Sequence, residues 1–328
     1  MPDKIEKLRS FCSGINFAEV DLSSEEEEFR RQFNHAIITL CKSLPESTQT
    51  DAILFFTQYL VTPIGRELNF FKNYYAPAWS ILYWLINADF GDKRPDPEDI
   101  KSAVTAHAMA LLLHPLDDHL HDGQLPATHL TMLLRSQSWM FMNTALNHLT
   151  HGFDGGEHIV RELIDNYYAS IGRSAEIQAL DSYCDLFRKQ MATWFIVPVL
   201  MTKKMAADEK LTHAIQTAYG SFGIAWRLLD DLKDIETDML NGSHSAIYIC
   251  LPENIQAYWD QGTPEKDIGR AGIILDYIQE HRVINSIMER LCSELESAAS
   301  IVDGYHMKSL AHEFRCLLRP LKNRLKPL

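Results

Sequence analysis

The most informative segment of this 328-residue chain reads Asp230-Asp231-Leu232-Lys233-Asp234-Ile235-Glu236-Thr237-Asp238. On a helix, Asp230, Asp234 and Asp238 occupy positions i, i+4 and i+8, so their carboxylates form one stripe along one face. Like charges at this spacing repel, and the stripe costs stability unless cations neutralise it. A solvated acidic helix face is the ordinary explanation of such a run. Here an apolar helical run comes directly before it, which indicates carboxylates lining a cavity and suited to Mg²⁺.

A second acidic cluster, Asp117-Asp118-His119-Leu120-His121-Asp122, follows another apolar helical run, 106–113. Asp118 and Asp122 share a helix face, and Asp117 lies about 100° away from Asp118. The interleaved histidines leave a Zn or Fe site open as an alternative, since imidazole suits both metals. The sequence has no HExxH or ExxH pair, and the other cluster offers carboxylates only, so Mg²⁺ ranks above zinc. Two such helix ends predict a site for a Mg²⁺-bound diphosphate beside an apolar cavity.

Composition excludes several classes of protein. Apolar residues make up 46% of the chain, enough for a substantial core, and the formal net charge of −13 argues against a nucleic-acid-binding surface. The N-terminus has no apolar signal core, and no run reaches 18 apolar residues, so we expect a cytoplasmic protein without membrane insertion. Its six cysteines have no CxxC spacing and indicate reduced thiols: Cys12, Cys41, Cys184, Cys250, Cys292 and Cys316.

Helical periodicity recurs along almost the whole chain, and strand-like alternation is scarce. No repeat or low-complexity linker divides it, so we predict one all-α domain over 1–328, with a loosely ordered N-terminal extension over 1–22. The predicted helices cover 24–44, 48–61, an aromatic-rich stretch within 66–89, a helix from Pro97 that ends in the first acidic cluster, 128–149, 157–171, 177–205 and 207–240, with further helices to the C-terminus.

The two aspartate-rich motifs begin 230 − 117 = 113 residues apart, and the second is a full DDxxD behind Gly220 and Gly223. In this arrangement the chain, over roughly residues 25 to 325, resembles the superfamily of trans-isoprenyl diphosphate synthases and class I terpene synthases. The resemblance implies an antiparallel helical bundle around a deep apolar cavity. It also implies three Mg²⁺ ions at the cavity mouth and ionisation of an allylic isoprenyl diphosphate.

Three departures distinguish this chain from the chain-elongating members of the superfamily. Their GGKRxRP-like segment has little counterpart in 65–72, their Arg-Arg-Gly is replaced by 123–126, and their Phe-Gln is replaced by Trp226-Arg227. The cradle for a second diphosphate is thus reduced, which favours a cyclase: a Mg²⁺-dependent class I terpene synthase. Leucines at 112 and 113, where the superfamily limits pocket depth, leave room for a C15 or longer substrate. The alternative is a trans-prenyltransferase that condenses an allylic diphosphate with isopentenyl diphosphate.

Residue roles follow from the motifs and the resemblance. We expect Asp117 and Asp230 to be essential for catalysis. We also expect the guanidinium N–H groups of Arg227 to donate hydrogen bonds to the diphosphate. Asp231 lies off the stripe and suits an acceptor behind the metal ligands. Asp118 and His121 equally suit hydrogen bonding at a helix end. The expected metal ligands are Asp117, Asp118, Asp122, Asp230, Asp234 and Asp238.

Substrate contacts are expected from basic and aromatic side chains. Each basic residue equally suits the surface, and Gln190-Met191 equally suits the register of Arg188 and Lys189. Aromatic faces stabilise carbocations. Most aromatic residues at helical spacing belong to the core, so we expect no more than about half of the candidates to line the pocket. The expected substrate-binding residues are Arg188, Lys189, Lys233, Trp79, Trp139, Trp194, Trp226 and Leu113, with Trp84, Phe195 and Phe222 as further aromatic candidates.

Several readings stay open beside these. The chain also suits an inactive prenyl-synthase subunit, a non-catalytic helical partner or a di-iron bundle, though the last wants Glu-x-x-His pairs. We expect a homodimer. The sequence does not indicate the exact substrate length or the product skeleton. The segment 241–245 is small and polar with Gly242 at a helix end, so we expect it to be mobile without substrate and to close over diphosphate.

Overall fold

The structure, a computed structural model, describes residues 12, 14–60, 68–90, 94–121, 123–151, 154–171, 177, 179–206, 208–261 and 268–325. These residues contain helices and no strand, which confirms the predicted all-α fold. The helices are α1 (Ser24–Ser43), α2 (Glu46–Tyr59), α3 (Pro77–Asn87), α4 (Pro97–His121), α5 (His129–Thr150), α6 (Gly156–Ile171), α7 (Leu180–Gln190), α8 (Ala192–Ala206), α9 (Glu209–Lys233), α10 (Ile235–Asn241), α11 (Ala246–Ile249), α12 (Glu253–Trp259), α13 (Ile268–Glu280), α14 (Val283–Gly304) and α15 (Lys308–Leu325).

Local sequence signals set the starts of two long helices. Ser23 caps α1 in a reciprocal pair, in which Ser23 N–H donates to Glu26 and Glu26 N–H donates to the Ser23 hydroxyl. Thr128 and Thr131 form the same arrangement at the start of α5. Each pair satisfies backbone donors that the first helical turn leaves unpaired.

The centre of the bundle is α8, which is buried on all sides from Ala192 to Thr202. It packs against both α4 and α9, the helices that end in the acidic motifs. On α9, Gly223 leaves room for the buried Met191 side chain, whose terminal methyl lies 1.9 Å from where a Cβ would stand. Helix α8 is apolar on nearly all sides because none of its sides faces solvent.

Two predicted helices are each divided by one residue. The stretch 177–205 breaks at Met191, between α7 and α8, and the stretch 207–240 breaks at Asp234, between α9 and α10. Asp234 has φ −93° and ψ 9°, a conformation outside the regular helix. Aspartate is a weak helix former, and here it follows two other acids, so a local break is inexpensive.

The described part of the N-terminal extension is packed against the bundle. Ile15 and Phe17 are buried, and the Phe17 ring meets Tyr75 edge-on with 4.7 Å between centroids. Two side chains of the predicted extension therefore contribute to the core, while Gly14, Asn16, Glu19 and Asp21 are exposed. Residues 1–11 and 13 lie outside the described residues. No described helix is both long and apolar enough to cross a membrane.

Candidate functional site

Two cavities lie beside α4 and α9; the larger is also lined by α5, α6 and α7, and the smaller by α2, α3 and α8. The larger, of about 570 Å³, is lined by Asp117, Asp118, Arg135 and Arg227 among others. The smaller, of about 480 Å³, is lined mainly by rings, with Asp230 among its polar residues. The two acidic motifs therefore face two adjacent cavities, one rich in charge and one rich in aromatic surface.

On the α4 side, Asp117 is held by two side chains from other helices. Arg135 of α5 donates through Nε to Asp117 Oδ1 at 2.5 Å and through Nη2 to Oδ2 at 3.2 Å. The Tyr167 hydroxyl, on α6, donates to Oδ2 at 3.1 Å. The neighbouring Asp118 is exposed and lines the same cavity. Asp122 lies outside the described residues.

On the α9 side, Asp231 is the buried member of its motif, with 2% of the side chain exposed. It accepts hydrogen bonds from the Tyr183 hydroxyl at 2.7 Å and from the backbone N–H of Ala246 at 2.9 Å. Arg227 Nε lies 3.1 Å from Asp231 Oδ1 and donates to the Tyr183 hydroxyl at 2.9 Å. Asp231 thus connects α7, α9 and α11 and orients Arg227 beside the cavity.

The stripe predicted from spacing continues across the helix break. The backbone N–H of Asp234 donates to Asp230 C=O at 2.9 Å, and that of Asp238 donates to Asp234 C=O at 2.8 Å. Burial raises the pKa of Asp230 to about 6, and repulsion from Asp234 and Asp231 adds to this while Arg227 opposes it. Burial and the charge of Asp231 raise the pKa of Asp238 to about 7. The stripe is therefore short of positive charge.

These carboxylates fit a hard divalent cation, since their oxygens are the ligands Mg²⁺ prefers, and burial together with neighbouring acids raises their pKa values. Among the described residues, no three acidic, His or Cys side chains converge into a complete metal site. Mg²⁺ commonly takes one or two carboxylates and completes its shell with phosphate oxygens and water. The residues present fit a metal that arrives together with a diphosphate.

A cluster of four rings separates the two cavities. His114 meets Trp194 at 5.2 Å, Phe187 at 5.9 Å and Trp226 at 6.2 Å between centroids. Burial and the nearby Arg227 charge lower the pKa of His114 to about 4, so this imidazole is neutral at pH 7. We call these four residues the ring cluster. It provides an apolar, π-rich boundary directly beside the charged cavity.

The expected basic contacts occupy different positions. Arg188 pairs with Asp185 on its own helix, Lys189 is exposed, and neither lines either cavity. Gln190, the alternative in that register, does line the larger cavity. Lys233 donates to Asn16 Oδ1 at 3.1 Å and lies 3.3 Å from the Tyr75 hydroxyl.

The expected aromatic contacts divide into two groups. Trp194, Trp226 and Phe222 line the smaller cavity. The others lie elsewhere: Trp79 is buried against Phe33, Trp139 stacks on Tyr168, Phe195 packs on Tyr219, Trp84 donates to Glu313, and Leu113 is buried in the core.

The segment after α10 is anchored at several points. Gly242 adopts φ 69°, the left-handed helix end that was predicted. His244 lines the larger cavity, stacks on Tyr248 at 3.9 Å and lies 3.0 Å from Asp260 Oδ1. The Ser243 carbonyl accepts from the Trp259 indole at 3.0 Å. These contacts hold the segment against α11 and α12, which its small polar sequence did not suggest.

Four cavity residues were missed by sequence reasoning: Arg135, Tyr167, Tyr183 and His114. Tyr167 and Tyr183 reach their aspartates across 50 and 48 residues of chain. No local spacing marks such partners. His114 stands one helical turn before Asp117, and that position was the only available signal for it.

Comparison with known proteins supports the fold. Geranylgeranyl pyrophosphate synthase from Corynebacterium glutamicum ATCC 13032 superposes with a TM-score of 0.68 at 13% identity, over 98% of this chain and 99% of that one. A second structure of geranylgeranyl pyrophosphate synthase from C. glutamicum, complexed with isoprenyl diphosphate and magnesium, gives 0.60 at 13% identity, over 93% and 100%. Heptaprenyl diphosphate synthase from Staphylococcus aureus gives 0.63 at 11% identity, over 90% and 98%.

Sequence comparison gives less. No family model matches the chain. Subunit 5 of the mouse conserved oligomeric Golgi complex is 23% identical over 235 residues, which is 67% of this chain and 26% of that protein. The chain thus spans about a quarter of the length of the curated relative it matches. The structural likenesses show that the chain has the fold of trans-prenyl diphosphate synthases, which confirms at that level the resemblance seen in the acidic motifs.

Proposed function

We propose that this chain is a Mg²⁺-dependent enzyme that ionises an allylic isoprenyl diphosphate and transfers the prenyl group to isopentenyl diphosphate. The observation that carries the proposal is the pair of adjacent cavities, one flanked by acids and arginines and the other lined by rings, where α4 and α9 end. The three similar structures reported above are named as prenyl diphosphate synthases. This favours prenyl transfer over cyclisation, the reaction that we predicted from the sequence.

The two cavities divide the substrate between them. The diphosphate belongs in the larger cavity, which Arg135 and Arg227 both line and where they can donate paired N–H groups to its oxygens. The prenyl chain, which we expect to be C15 or longer, belongs in the smaller cavity. The ring cluster between them excludes water and presents aromatic faces to an allylic cation.

The proposed metal ligands lie at both cavities, since Asp117 and Asp118 line the larger one and Asp230 lines the smaller one. Asp117, Asp118 and Asp122 would serve on the α4 side, and Asp230, Asp234 and Asp238 on the α9 side, for up to three Mg²⁺ ions. When bound, Mg²⁺ neutralises the charge that develops on the departing diphosphate. Asp231 has a different task, since its bonds to Arg227, Tyr183 and Ala246 hold the α9 wall in place.

Cyclisation of the same cation is the second candidate. One observation favours it: no Lys or Arg is among the described residues that line the smaller cavity, where a second diphosphate would need cations. Part of the segment that binds the second diphosphate in elongating synthases corresponds to 65–67, outside the described residues. The common step, ionisation in the larger cavity, is the same for both candidates.

Incubation with allylic diphosphates of increasing length tests the proposal. Purified protein, Mg²⁺ and geranyl, farnesyl or geranylgeranyl diphosphate are assayed for released diphosphate and for products by mass spectrometry, with and without isopentenyl diphosphate. A longer diphosphate that requires both substrates supports prenyl transfer, and hydrocarbon from the allylic substrate alone supports the cyclase. No diphosphate release under any condition contradicts both and favours a non-catalytic helical protein.

Two further expectations belong to the proposal. The protein acts as a homodimer, with the exposed Met140 of α5 and Tyr168 of α6 in the contact. Its location is cytoplasmic, in keeping with unpaired cysteines, all six of which are free thiols.

A further inference from the structure

The ion pair at Asp117 occupies both oxygens of a carboxylate that the proposed function assigns to a metal. Arg135 contacts Oδ1 and Oδ2 in a two-pronged arrangement, and Tyr167 adds a third bond on Oδ2. The Asp117 side chain is 10% exposed and that of Arg135 is 31% exposed. A metal that binds Asp117 must therefore displace the Arg135 guanidinium from the carboxylate oxygens.

We propose that Arg135 is an internal counter-ion that holds Asp117 until substrate arrives and then moves to the diphosphate, so that metal binding at Asp117 requires the diphosphate. This inference rests on the proposed function. It assigns to Arg135, a residue that no sequence motif marks, control over the order in which metal and substrate bind.

Charge and geometry both favour the exchange. Two cations compete for one carboxylate, so a metal alone gains little by displacing a guanidinium that already makes two charged hydrogen bonds. A diphosphate lowers the cost of displacing Arg135, because its oxygens can accept the same paired guanidinium N–H bonds in the same cavity. Tyr167 continues to hold Asp117 in position when Arg135 leaves.

The contacts of Arg227 explain why Arg135, and not Arg227, is the residue that moves. Arg227 contacts Asp231, which is 2% exposed and is fixed by a second helix through the Ala246 N–H. Arg227 also bonds the Tyr183 hydroxyl and lies over the Phe187 ring, 5.4 Å from its centroid. The two arginines are similarly exposed, and the difference lies in their partners: Asp231 is 2% exposed, whereas Asp117 is 10% exposed and lines the cavity.

Metal binding measured without turnover tests the exchange. Mn²⁺ replaces Mg²⁺ as a paramagnetic probe, and its dissociation constant is measured with and without inorganic pyrophosphate in the wild type, Arg135→Gln and Arg135→Lys. In the wild type, pyrophosphate should tighten Mn²⁺ binding by about tenfold or more, the usual scale of coupling between sites. In Arg135→Gln, Mn²⁺ alone should bind about tenfold more tightly than in the wild type, and pyrophosphate should tighten it less.

Arg135→Lys keeps the charge without the fork, so its Mn²⁺ affinity should lie between those of the wild type and Arg135→Gln. Arg315→Gln is the matched control, since Arg315 pairs with Asp303 at 2.5 Å and lines neither cavity. It should leave both Mn²⁺ constants unchanged.

The outcomes separate this inference from the proposed function. If the wild type releases diphosphate from allylic substrates but Arg135→Gln binds Mn²⁺ no more tightly, the exchange is wrong and the proposed function stands. A wild type whose Mn²⁺ affinity ignores pyrophosphate overturns the exchange without need of any variant. If the wild type neither releases diphosphate nor binds Mn²⁺ with pyrophosphate, both are wrong.

Discussion

Adjacent aspartates in the second motif have unlike surroundings. Asp230 lines the smaller cavity, and burial raises its pKa to about 6. Asp231, about 100° round the helix, points the other way and is held by Arg227, Tyr183 and the Ala246 N–H. One residue has a carboxylate in need of a cation, and the next has a carboxylate with its partners already in place.

The same substitution at the two positions should therefore have opposite effects. Asp230→Asn removes a metal ligand and a carboxylate whose charge is disfavoured by burial, so we expect diphosphate release to fall about 100-fold or more and the unfolding free energy at pH 7 to rise. Asp231→Asn breaks a buried ion pair, which typically costs about 3 to 5 kcal/mol. Urea unfolding and a diphosphate-release assay on both variants check this; a stable, fully active Asp231→Asn would contradict it.

Glu313 is a second residue whose surroundings determine its protonation. It is 2% exposed, accepts hydrogen bonds from the Ser80 hydroxyl and the Trp84 indole, and faces the acid Glu26. Burial and the Glu26 charge raise its pKa to about 8, although the two hydrogen bonds oppose this. Around it, a cavity of about 290 Å³ is also lined by Asp21, Lys308 and His312.

A raised carboxyl pKa gives stability a definite pH dependence. The folded protein binds a proton at Glu313 that the unfolded chain, with an ordinary pKa of 4.5, has already lost above that pH. The free energy of unfolding should thus fall as pH rises from about 4.5 to about 8. Glu313→Gln should flatten this fall in urea titrations between pH 5 and 9. An equally steep fall in the variant would show that other groups cause it.

At the scale of the helices, α4 carries a proline in its interior. Pro115 has no N–H to donate to the Leu111 carbonyl, four residues earlier. The Tyr74 hydroxyl donates to that carbonyl at 3.1 Å, so the unpaired acceptor is satisfied by another element. The helix continues past the proline and carries His114 to the ring cluster and Asp117 to the cavity.

The ring cluster is where α4, α7, α8 and α9 meet, and Trp194 of α8 contributes the ring that contacts both His114 and Trp226. Removing that ring should open the boundary between the cavities. We expect Trp194→Ala to shift products toward longer prenyl chains and to cost about 3 to 5 kcal/mol. Product length by mass spectrometry and urea unfolding measure the two effects.

Trp79→Ala serves as the matched control for Trp194→Ala. Trp79 is equally buried but lines neither cavity, so its loss should destabilise the protein without changing product length. Equal product shifts in both variants would mean that destabilisation, and not the boundary between cavities, sets chain length.

At the scale of the whole molecule, local patterns carried the fold and part of the site. Helix starts at Ser23 and Thr128 and the spacing of Asp230, Asp234 and Asp238 are written within a few residues, so sequence reasoning reached them. The partners Arg135, Tyr167 and Tyr183 are brought in by the packing of whole helices. That packing depends on complementary surfaces far apart in the chain, and no window of sequence contains them.

The same limit applied to two segments that composition predicted to be loose. Small polar residues over 241–245 predicted mobility, yet the Trp259 indole and Asp260, more than fifteen residues away, anchor them. We predicted residues 14–22 to be part of a loosely ordered extension, and the Phe17 ring packs edge-on against Tyr75. Composition reports what a segment can bury by itself, and tertiary partners can reverse that outcome.

The outer surface of α5 and α6 bears on the assembly of the molecule. Among the exposed large apolar side chains of the described residues, Met132 and Met140 lie on α5, and Tyr168 and Ile171 lie on α6. Met132 and Ile171 line the larger cavity, so Met140 and Tyr168 are the two whose exposure that cavity does not explain. The Met140 side chain is 58% exposed, and Tyr168 stacks on Trp139. Gathered apolar side chains are costly in water and mark interaction surfaces more often than scattered ones do.

A second copy of the chain would cover this surface, and sedimentation can measure it. We expect the wild type to sediment as a dimer at micromolar concentration and Met140→Lys to shift it toward monomer, because a charge at the centre of a buried interface is left unpaired. Leu54→Lys places the same charge at another exposed apolar position, on α2, and should leave the dimer intact. Dissociation by both variants, or by neither, would place the dimer contact on another face of the molecule, and a monomeric wild type would mean that α5 and α6 remain open to solvent.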